Sequence, residues 1–180
     1  MKASRTWLLG AGLALVAIVI VYRFALKNKT VGAPTMPTAP QTAIFDLVLT
    51  DVSGKAQSLQ QWRGKILVLN YWATWCFPCR EEMPGFSRLQ TKYQENGVQF
   101  VGISIDEAAK IIEFKKNTPV SYPLLIGDMK TMTNSAELGN SRQALPFTAV
   151  FDRNGQLVMS RLGRWNESDL EPKLLELISR

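Results

Sequence analysis

A continuous apolar run leads directly into two cysteines in KILVLNYWATWCFPCR, residues 65–80. Its first part, residues 65–72, is typical of a strand that is buried on both faces of a sheet. Cys76 and Cys79 are the only cysteines in the chain. Because two cysteines three positions apart at the start of a helix bring their sulfurs close together, the sequence predicts a redox-active Cys76–Cys79 disulfide at the end of a core strand.

The two thiols are expected to differ in reactivity. Cys76 is predicted at a helix N-terminus, where unpaired backbone N–H groups and the helix dipole favour a thiolate, and Arg80 adds a positive charge one turn further on. Pro78 lacks an N–H, which costs nothing in a first helical turn, and it stiffens the loop. Phe77 adds an apolar surface beside the sulfur. We therefore predict that Cys76 is the attacking thiol and that Cys79 lies beneath it.

A metal site and a permanent structural disulfide are the alternatives for this cysteine pair. A structural zinc ion needs four ligands, and the chain has no other cysteine and no histidine. A disulfide across so short a loop removes little chain entropy, and a body of about 140 residues can build its own core without one. The missing histidines also exclude Ser-His and Cys-His catalysis within this chain. We expect neither a metal nor a cofactor.

The residues around the two cysteines resemble the thioredoxin superfamily. WCFPC at residues 75–79 is similar to the active-site motif of that superfamily, and NYWATWC at residues 70–76 resembles the TlpA/ResA/CcmG branch of membrane-tethered bacterial thiol-disulfide oxidoreductases. The likeness covers residues 40–180. It implies an α/β, thioredoxin-like fold with a mixed central sheet, an N-terminal β extension and a central insertion, which we place at residues 106–126.

Two further positions carry this resemblance. Pro84 lies five residues after Cys79, where thioredoxins kink their active-site helix. LPFT at residues 145–148 is similar to the cis-proline loop of the family, which implies that the Leu145 backbone pairs with an extended substrate and that Pro146 faces the sulfurs. The substrate-binding residues implied in this way are Trp75, Phe77, Pro78, Leu145 and Pro146.

The acid-base helper for Cys79 is not assigned by the resemblance. Asn70 stands where thioredoxin has a buried aspartate, and Phe77 stands where ResA-type proteins often have a glutamate. Asp106 follows a strand predicted at residues 98–105, beside the active-site strand, and it is our candidate helper. The ordinary alternative is that Asp106 caps the next helix, because aspartate is common at that position.

Three segments are predicted along the chain: a membrane anchor at residues 1–29, a linker at residues 30–41 and a catalytic domain at residues 42–180. No residue from Trp7 to Tyr22 is charged, which fits a short transmembrane helix or a long signal-peptide core, and no cleavage site follows promptly. Three prolines among small residues are typical of an extended linker. Basic residues flank the apolar segment on both sides and do not set its orientation.

Alternating strand and helix patterns in the remaining domain indicate the α/β class. Asn154-Gly155 between two apolar runs predicts a hairpin, so the last two strands should be antiparallel. A small N-terminal β element is predicted at residues 44–49 and 58–59. Further strands are predicted at residues 66–71, 98–105, 123–126, 147–151 and 156–162, and helices at residues 79–95, 107–117, 131–138 and 169–179.

The net charge of +6 arises mainly at the N-terminus. All five charged residues before Thr30 are basic, which leaves 16 basic and 15 acidic residues in the rest of the chain. This balance gives no basic patch for nucleic acid, and we expect no nucleic-acid partner.

The resemblance implies a single-pass protein of the bacterial inner membrane with its catalytic domain in the periplasm or another extracytoplasmic space. It also implies that the dithiol reduces disulfides of exported proteins, as in cytochrome c or copper-protein maturation, with electrons from a membrane thiol reductase. Two alternatives stay open. One is a peroxiredoxin-type thiol peroxidase, although Ala73 stands where that family has threonine. The other is a non-catalytic docking chaperone for exported thiol proteins.

Overall fold

The computed structural model describes residues 41–180, in which helices pack on both faces of a seven-stranded sheet. The strands are, in chain order, β1 Val48–Asp51, β2 Ala56–Ser58, β3 Ile66–Trp72, β4 Val98–Ser104, β5 Leu124–Ile126, β6 Phe147–Phe151 and β7 Leu157–Leu162. They lie in the order β2-β1-β5-β4-β3-β6-β7. Because β3 pairs in parallel with β4 and antiparallel with β6, the sheet is mixed, as predicted.

The helices follow the predicted order with small differences at their ends. They are α1 Phe77–Tyr93, α2 Ala108–Asn117, α3 Met129–Asn134 and α4 Glu167–Ile178. Short 3-10 segments occupy Gln41–Asp46, Leu59–Trp62, Gln94–Asn96 and Ser135–Leu138. The helical stretch predicted at residues 131–138 is thus α3 followed by a 3-10 turn, and α4 begins two residues before its predicted start.

Strand β3 is buried along its whole length and separates two hydrophobic cores. Ile66 and Val68 face the core formed with α1 and α4. Leu67 and Leu69 face the opposite core, which includes Met132 of α3. Because alternate side chains of a strand point to opposite faces, a strand covered on both sides needs apolar residues at consecutive positions, which explains an apolar run that only Asn70 interrupts.

The predicted central insertion, residues 106–126, contains α2 and β5. Strand β5 pairs in parallel with β4 and antiparallel with β1, so it links the central strands to the N-terminal β1–β2 hairpin. At the other side of the sheet, the turn at Asn154-Gly155 joins the antiparallel strands β6 and β7, as predicted. Gly155 has a φ of 76°, a left-handed conformation that favours glycine.

The carboxyl ends of the parallel strands β3, β4 and β5 meet at one edge of the sheet. Residues 73–76 follow β3 at this edge, and Asp106 follows β4. Pro146 lies at the same edge, because it directly precedes the antiparallel strand β6. The fold therefore brings the dithiol, the proline loop and Asp106 together, although they are far apart in the sequence.

The predicted anchor at residues 1–29 and nearly all of the predicted linker lie outside the described residues. Gln41, the last residue of the predicted linker, already belongs to the 3-10 segment Gln41–Asp46. Within residues 41–180, the helices are too short or too polar to cross a lipid bilayer.

Candidate active site

A disulfide joins Cys76 to Cys79 at the sheet edge, with their Cα atoms 5.3 Å apart. Cys76 is 5% exposed and Cys79 is fully buried. Solvent and substrates therefore reach the predicted attacking residue before they reach its partner. Both cysteines belong to the core that α1 shares with β3, which fixes the lower sulfur from the inside.

The helix start places Cys76 at an N-terminus, as the sequence predicts. Cys76 is the N-cap residue of α1 with an extended backbone, and its carbonyl oxygen accepts the Arg80 N–H at 3.2 Å. Pro78 lies in the first turn, where its missing N–H has no helical partner to lose. The Cys76 side chain makes no capping hydrogen bond, so the first-turn N–H groups remain available to stabilise a thiolate in the reduced form.

Exposed apolar residues flank Cys76 in the sequence and form an apolar rim at this edge. Trp75 and Phe77, the neighbours of Cys76 in sequence, are each 67% exposed, and Pro78 is exposed as well. Across the edge, the Leu145–Pro146 peptide bond is cis, with Leu145 half-buried and Pro146 buried. These are the five residues that the resemblance implies for substrate binding: three of them flank the cysteines in sequence, and the other two precede β6 at the same edge of the sheet.

Asp106 is buried at this edge with its carboxylate already engaged. Its Oδ2 atom accepts a hydrogen bond from the Thr74 backbone N–H at 2.6 Å and another from the Ser104 hydroxyl at 3.3 Å. The alternative that Asp106 caps the following helix is wrong, because Glu107 is the N-cap residue of α2. The structure thus ties Asp106 to the loop that precedes Cys76.

Glu82 is a buried carboxyl group that the sequence patterns did not single out. It lies three residues after Cys79 on the inner face of α1, and only 3% of its surface is exposed. Its Oε1 atom accepts a hydrogen bond from the Asn70 side-chain amide at 2.8 Å, and its Oε2 atom accepts one from the Trp165 backbone N–H at 2.8 Å. Asn70 also donates to Thr148 Oγ1 at 3.0 Å. A carboxylate from the helix therefore reaches the position where thioredoxin carries an aspartate on the strand.

Burial raises the pKa of Glu82 to about 7, since the charged form loses its hydration. The hydrogen bonds from Trp165 and Asn70 and the positive charges of Arg164 and Arg161 lower the pKa, but burial is the larger effect. Glu82 can therefore both take up and release a proton near neutral pH. A signal in the sequence was available: Glu82 is a charged residue at the i+3 position from Cys79, on the apolar face of the helix.

Comparisons with known proteins give the family. Residues 40–160 match the model of the AhpC/TSA family. The chain belongs to the AhpC/TSA family. Among curated proteins with this similarity, the thiol-disulfide oxidoreductase ResA of Geobacillus kaustophilus is 31% identical over 94% of this chain and 92% of that protein. A ResA of Bacillus cereus is 31% identical over 73% of this chain and 75% of that protein.

Solved structures show that this AhpC/TSA family member has a thioredoxin-like fold. A thioredoxin-related protein from Neisseria meningitidis serogroup B has a TM-score of 0.64 at 35% identity, covering 73% of this chain and 99% of that one. A thiol:disulfide interchange protein from Chlorobium tepidum TLS, at 24% identity, shares the fold with a TM-score of 0.65 and covers 73% of this chain and 92% of that one. The chain is a thiol-disulfide oxidoreductase with a thioredoxin-like fold.

Proposed function

We propose that this enzyme reduces disulfides in exported proteins through Cys76 and Cys79. The observation that carries the proposal is the unequal placement of the two joined cysteines: Cys76 stands at a helix N-terminus and is 5% exposed, and Cys79 is fully buried in the first turn. A disulfide serving only as a structural bridge would gain nothing from such an unequal arrangement. The apolar rim around the accessible cysteine further suits contact with a protein segment.

The reaction starts from the reduced dithiol. The Cys76 thiolate attacks one sulfur of the substrate disulfide, which forms a mixed disulfide and releases the other substrate sulfur as a thiolate. Cys79, once deprotonated, attacks the Cys76 sulfur, so the mixed disulfide breaks, the second substrate thiolate leaves and the Cys76–Cys79 disulfide closes. Two electrons pass from the dithiol to the substrate, which leaves as a dithiol after protonation.

Glu82 is the group that we assign to the proton of Cys79. A thiol buried in apolar surroundings has a raised pKa and needs a nearby base before it can attack. Glu82 lies on the same helix face one turn after Cys79, and its pKa of about 7 lets it accept that proton at neutral pH. Asp106, the candidate from the sequence, follows β4 and lies outside the helix that carries Cys79, and its carboxylate binds the Thr74 N–H in the turn before Cys76.

Trp75, Phe77 and Pro78 on one side and Leu145 and Pro146 on the other are proposed to bind the substrate. Apolar side chains so widely exposed cost nothing to desolvate and gain free energy when a substrate segment covers them. The backbone of Leu145 offers hydrogen bonds to an extended segment at the edge of the sheet. A protein disulfide in a flexible, extended segment would fit this site.

We propose the same three segments that the sequence predicts: an anchor at residues 1–29, a linker at residues 30–41 and the catalytic domain at residues 42–180. Support comes from the uncharged segment and from the ResA of Geobacillus kaustophilus, whose match covers 94% of this chain. The enzyme would then act outside the cytoplasm at the bacterial inner membrane. We propose a membrane thiol reductase as its electron donor, and proteins of cytochrome c or copper-protein maturation as its substrates.

An alkaline phosphatase fusion tests this location. Phosphatase joined after Arg180 of the full chain is expected to be active, because it folds only where its disulfides form. The matched control carries a fluorescent cytoplasmic reporter at the same position and should stay dark. A bright reporter with inactive phosphatase would place the domain in the cytoplasm and overturn the proposed location.

Trapping identifies the substrates. Cys79→Ser in the full chain is expected to accumulate mixed disulfides between Cys76 and exported proteins, since the resolving thiol is gone, and mass spectrometry would identify them. The double variant Cys76→Ser, Cys79→Ser is the negative control. Adding Trp75→Ala should lower the yield several-fold, whereas Leu175→Ala, at an exposed apolar residue late in α4, should not. Trapping of cytoplasmic proteins alone would contradict the proposed substrate class.

A further inference from the structure

We propose that Asp106 is a positioning residue, which holds the turn between β3 and α1 and thereby sets the place of Cys76 and Trp75 for thiol-disulfide exchange. The inference rests on the proposed function, in which Cys76 attacks, and it adds a residue outside the dithiol that controls this attack. The aspartate contacts neither the substrate nor the sulfurs in this role; it acts through the backbone of Thr74.

The contacts of Asp106 converge on one oxygen. Oδ2 receives the Thr74 N–H at 2.6 Å and the Ser104 hydroxyl at 3.3 Å. The Ser104 oxygen in turn accepts the Asp106 backbone N–H at 3.1 Å, which closes a small ring of hydrogen bonds. Ser104 is fully buried and Asp106 is 6% exposed. A short hydrogen bond from a backbone N–H to a shielded carboxylate is stronger than one between neutral groups, so the carboxylate is a firm anchor.

The anchored N–H lies in the middle of a turn whose ends, Ala73 and Cys76, are buried in the core. Trp72 is the last residue of β3 and pairs with Ser104, so Thr74 lies beyond the ladder and has no strand partner. The Cys76 N–H donates to the Ala73 carbonyl at 3.1 Å, which makes residues 73–76 a four-residue turn with Thr74 and Trp75 at its centre. Without Asp106, the half-buried Thr74 N–H would lose its partner and the turn would be free to shift.

The position of this turn determines where the Cys76 sulfur lies relative to Cys79. Cys76 ends the turn and begins α1, so a movement of the turn displaces Cys76 relative to Cys79, which lies deeper in the same core. Small misplacements of reacting atoms cost large factors in rate. Trp75 is 67% exposed, so its orientation depends on its backbone rather than on packing. One carboxylate oxygen thus controls both the attacking group and the neighbouring aromatic surface.

Three variants of the full chain test this role. Asp106→Ala removes the acceptor, Asp106→Asn keeps an amide oxygen that can accept the same Thr74 N–H, and Asp128→Ala is the matched control. Asp128 lies at the same sheet edge and also receives a backbone N–H, from Thr131 at 2.7 Å, but it caps α3 rather than the turn before Cys76. The measurements are the equilibrium constant for closing the Cys76–Cys79 disulfide against glutathione, the melting temperature, and kcat/KM for a peptide disulfide.

Asp106→Ala is expected to lower the equilibrium constant for disulfide closure about tenfold, which makes the dithiol less reducing by about 30 mV. It should lower kcat/KM by a similar factor. Asp106→Asn should fall between the wild type and Asp106→Ala, because its amide oxygen can accept the Thr74 N–H but lacks the charge that strengthens the bond. Asp128→Ala should lower the melting temperature through the lost cap and leave the equilibrium constant unchanged.

Two results would overturn the proposal. One is an Asp106→Ala variant with a lowered melting temperature but a wild-type equilibrium constant, since this would make Asp106 structural only. The other is an Asp106→Asn variant as impaired as Asp106→Ala, since the hydrogen bond would then not be the cause. The glutathione equilibrium needs no protein substrate. A wild-type enzyme that fails to reduce peptide disulfides would therefore count against the proposed function, while the equilibrium constants would still decide the role of Asp106.

Discussion

Cys76→Ala is expected to abolish reduction of a peptide disulfide, lowering kcat/KM by at least about 10³-fold, because the attacking thiolate is removed. Cys79→Ala should retain the first step of the reaction and lose the second. It should release one substrate thiol per enzyme molecule and then stop at the mixed disulfide, since Cys76 remains accessible at the helix N-terminus and the resolving thiol is gone. Stopped-flow measurement of substrate thiol release distinguishes a complete loss from a single burst.

Stability is the control for the Cys76→Ala prediction. The variant should melt within a few degrees of the reduced wild-type enzyme, because Cys76 lies at the surface end of the core and a disulfide loop this short contributes little chain entropy. A burst of one substrate thiol from Cys76→Ala and none from Cys79→Ala would show that Cys79 attacks, against our assignment. Faster turnover of hydrogen peroxide than of any disulfide would favour a thiol peroxidase instead.

Glu82→Gln is expected to stabilise the protein above pH 7 by up to about 3 kcal/mol while it slows catalysis. In the unfolded chain, Glu82 ionises with its ordinary pKa of 4.5, but burial raises the pKa to about 7 in the folded protein. Between these pH values only the unfolded state has released the proton, so the free energy of unfolding falls as the pH rises. Above pH 7 the wild-type protein is destabilised by the full free energy of burying the charged Glu82 carboxylate, and an uncharged glutamine is not.

The surroundings of Glu82 can accept a glutamine. Asn70 Oδ1 has no hydrogen-bond partner among the described residues, while its amide nitrogen donates to Glu82 and Thr148. If the Asn70 amide turns over, its oxygen can accept hydrogen bonds from the glutamine amide and from the Thr148 hydroxyl. The glutamine oxygen still accepts the Trp165 N–H. The turned amide places its nitrogen where the unpaired Oδ1 now lies, so the substitution exchanges one unpaired polar atom of Asn70 for another and leaves the partners of residue 82 satisfied.

Denaturant unfolding at pH 4 and pH 8 measures the stability effect of Glu82→Gln. The two proteins should be about equally stable at pH 4 and differ at pH 8, and Glu95→Gln, an exposed glutamate just after α1, should show no such difference. The catalytic effect of Glu82→Gln should appear in the second step of the reaction, in which Cys79 attacks the mixed disulfide. Closure of the Cys76–Cys79 disulfide should slow by about 10²-fold, since Cys79 loses its base. If the variant and the wild-type enzyme closed this disulfide at the same rate, Glu82 would not be the base for Cys79.

Features that depend on neighbouring residues could be predicted from the amino-acid sequence. The apolar run of residues 66–72, which only Asn70 interrupts, predicted a central strand because a strand buried on both faces has no polar side. Asn154-Gly155 predicted the β6–β7 hairpin, because glycine takes up the left-handed turn that the connection needs. The spacing of Cys76 and Cys79 predicted their disulfide, and the proline in the first turn marked the start of the helix. In each case the physical cause lies within a few positions of the chain.

The roles of Glu82 and Asp106 emerged only from the folded arrangement. The pKa of Glu82 depends on burial and on partners 12 and 83 positions away, Asn70 and Trp165, and nothing in the helix sequence states which carboxyl group loses its water. Asp106 bonds to Thr74, 32 positions earlier, because β3 and β4 end side by side. The sequence analysis predicted that Asp106 lies near the dithiol, but the favoured interpretation, in which Asp106 caps α2, was wrong because Glu107 is the N-cap residue. Hydration and long-range hydrogen bonds are set by which strands become neighbours, and local patterns do not encode that choice.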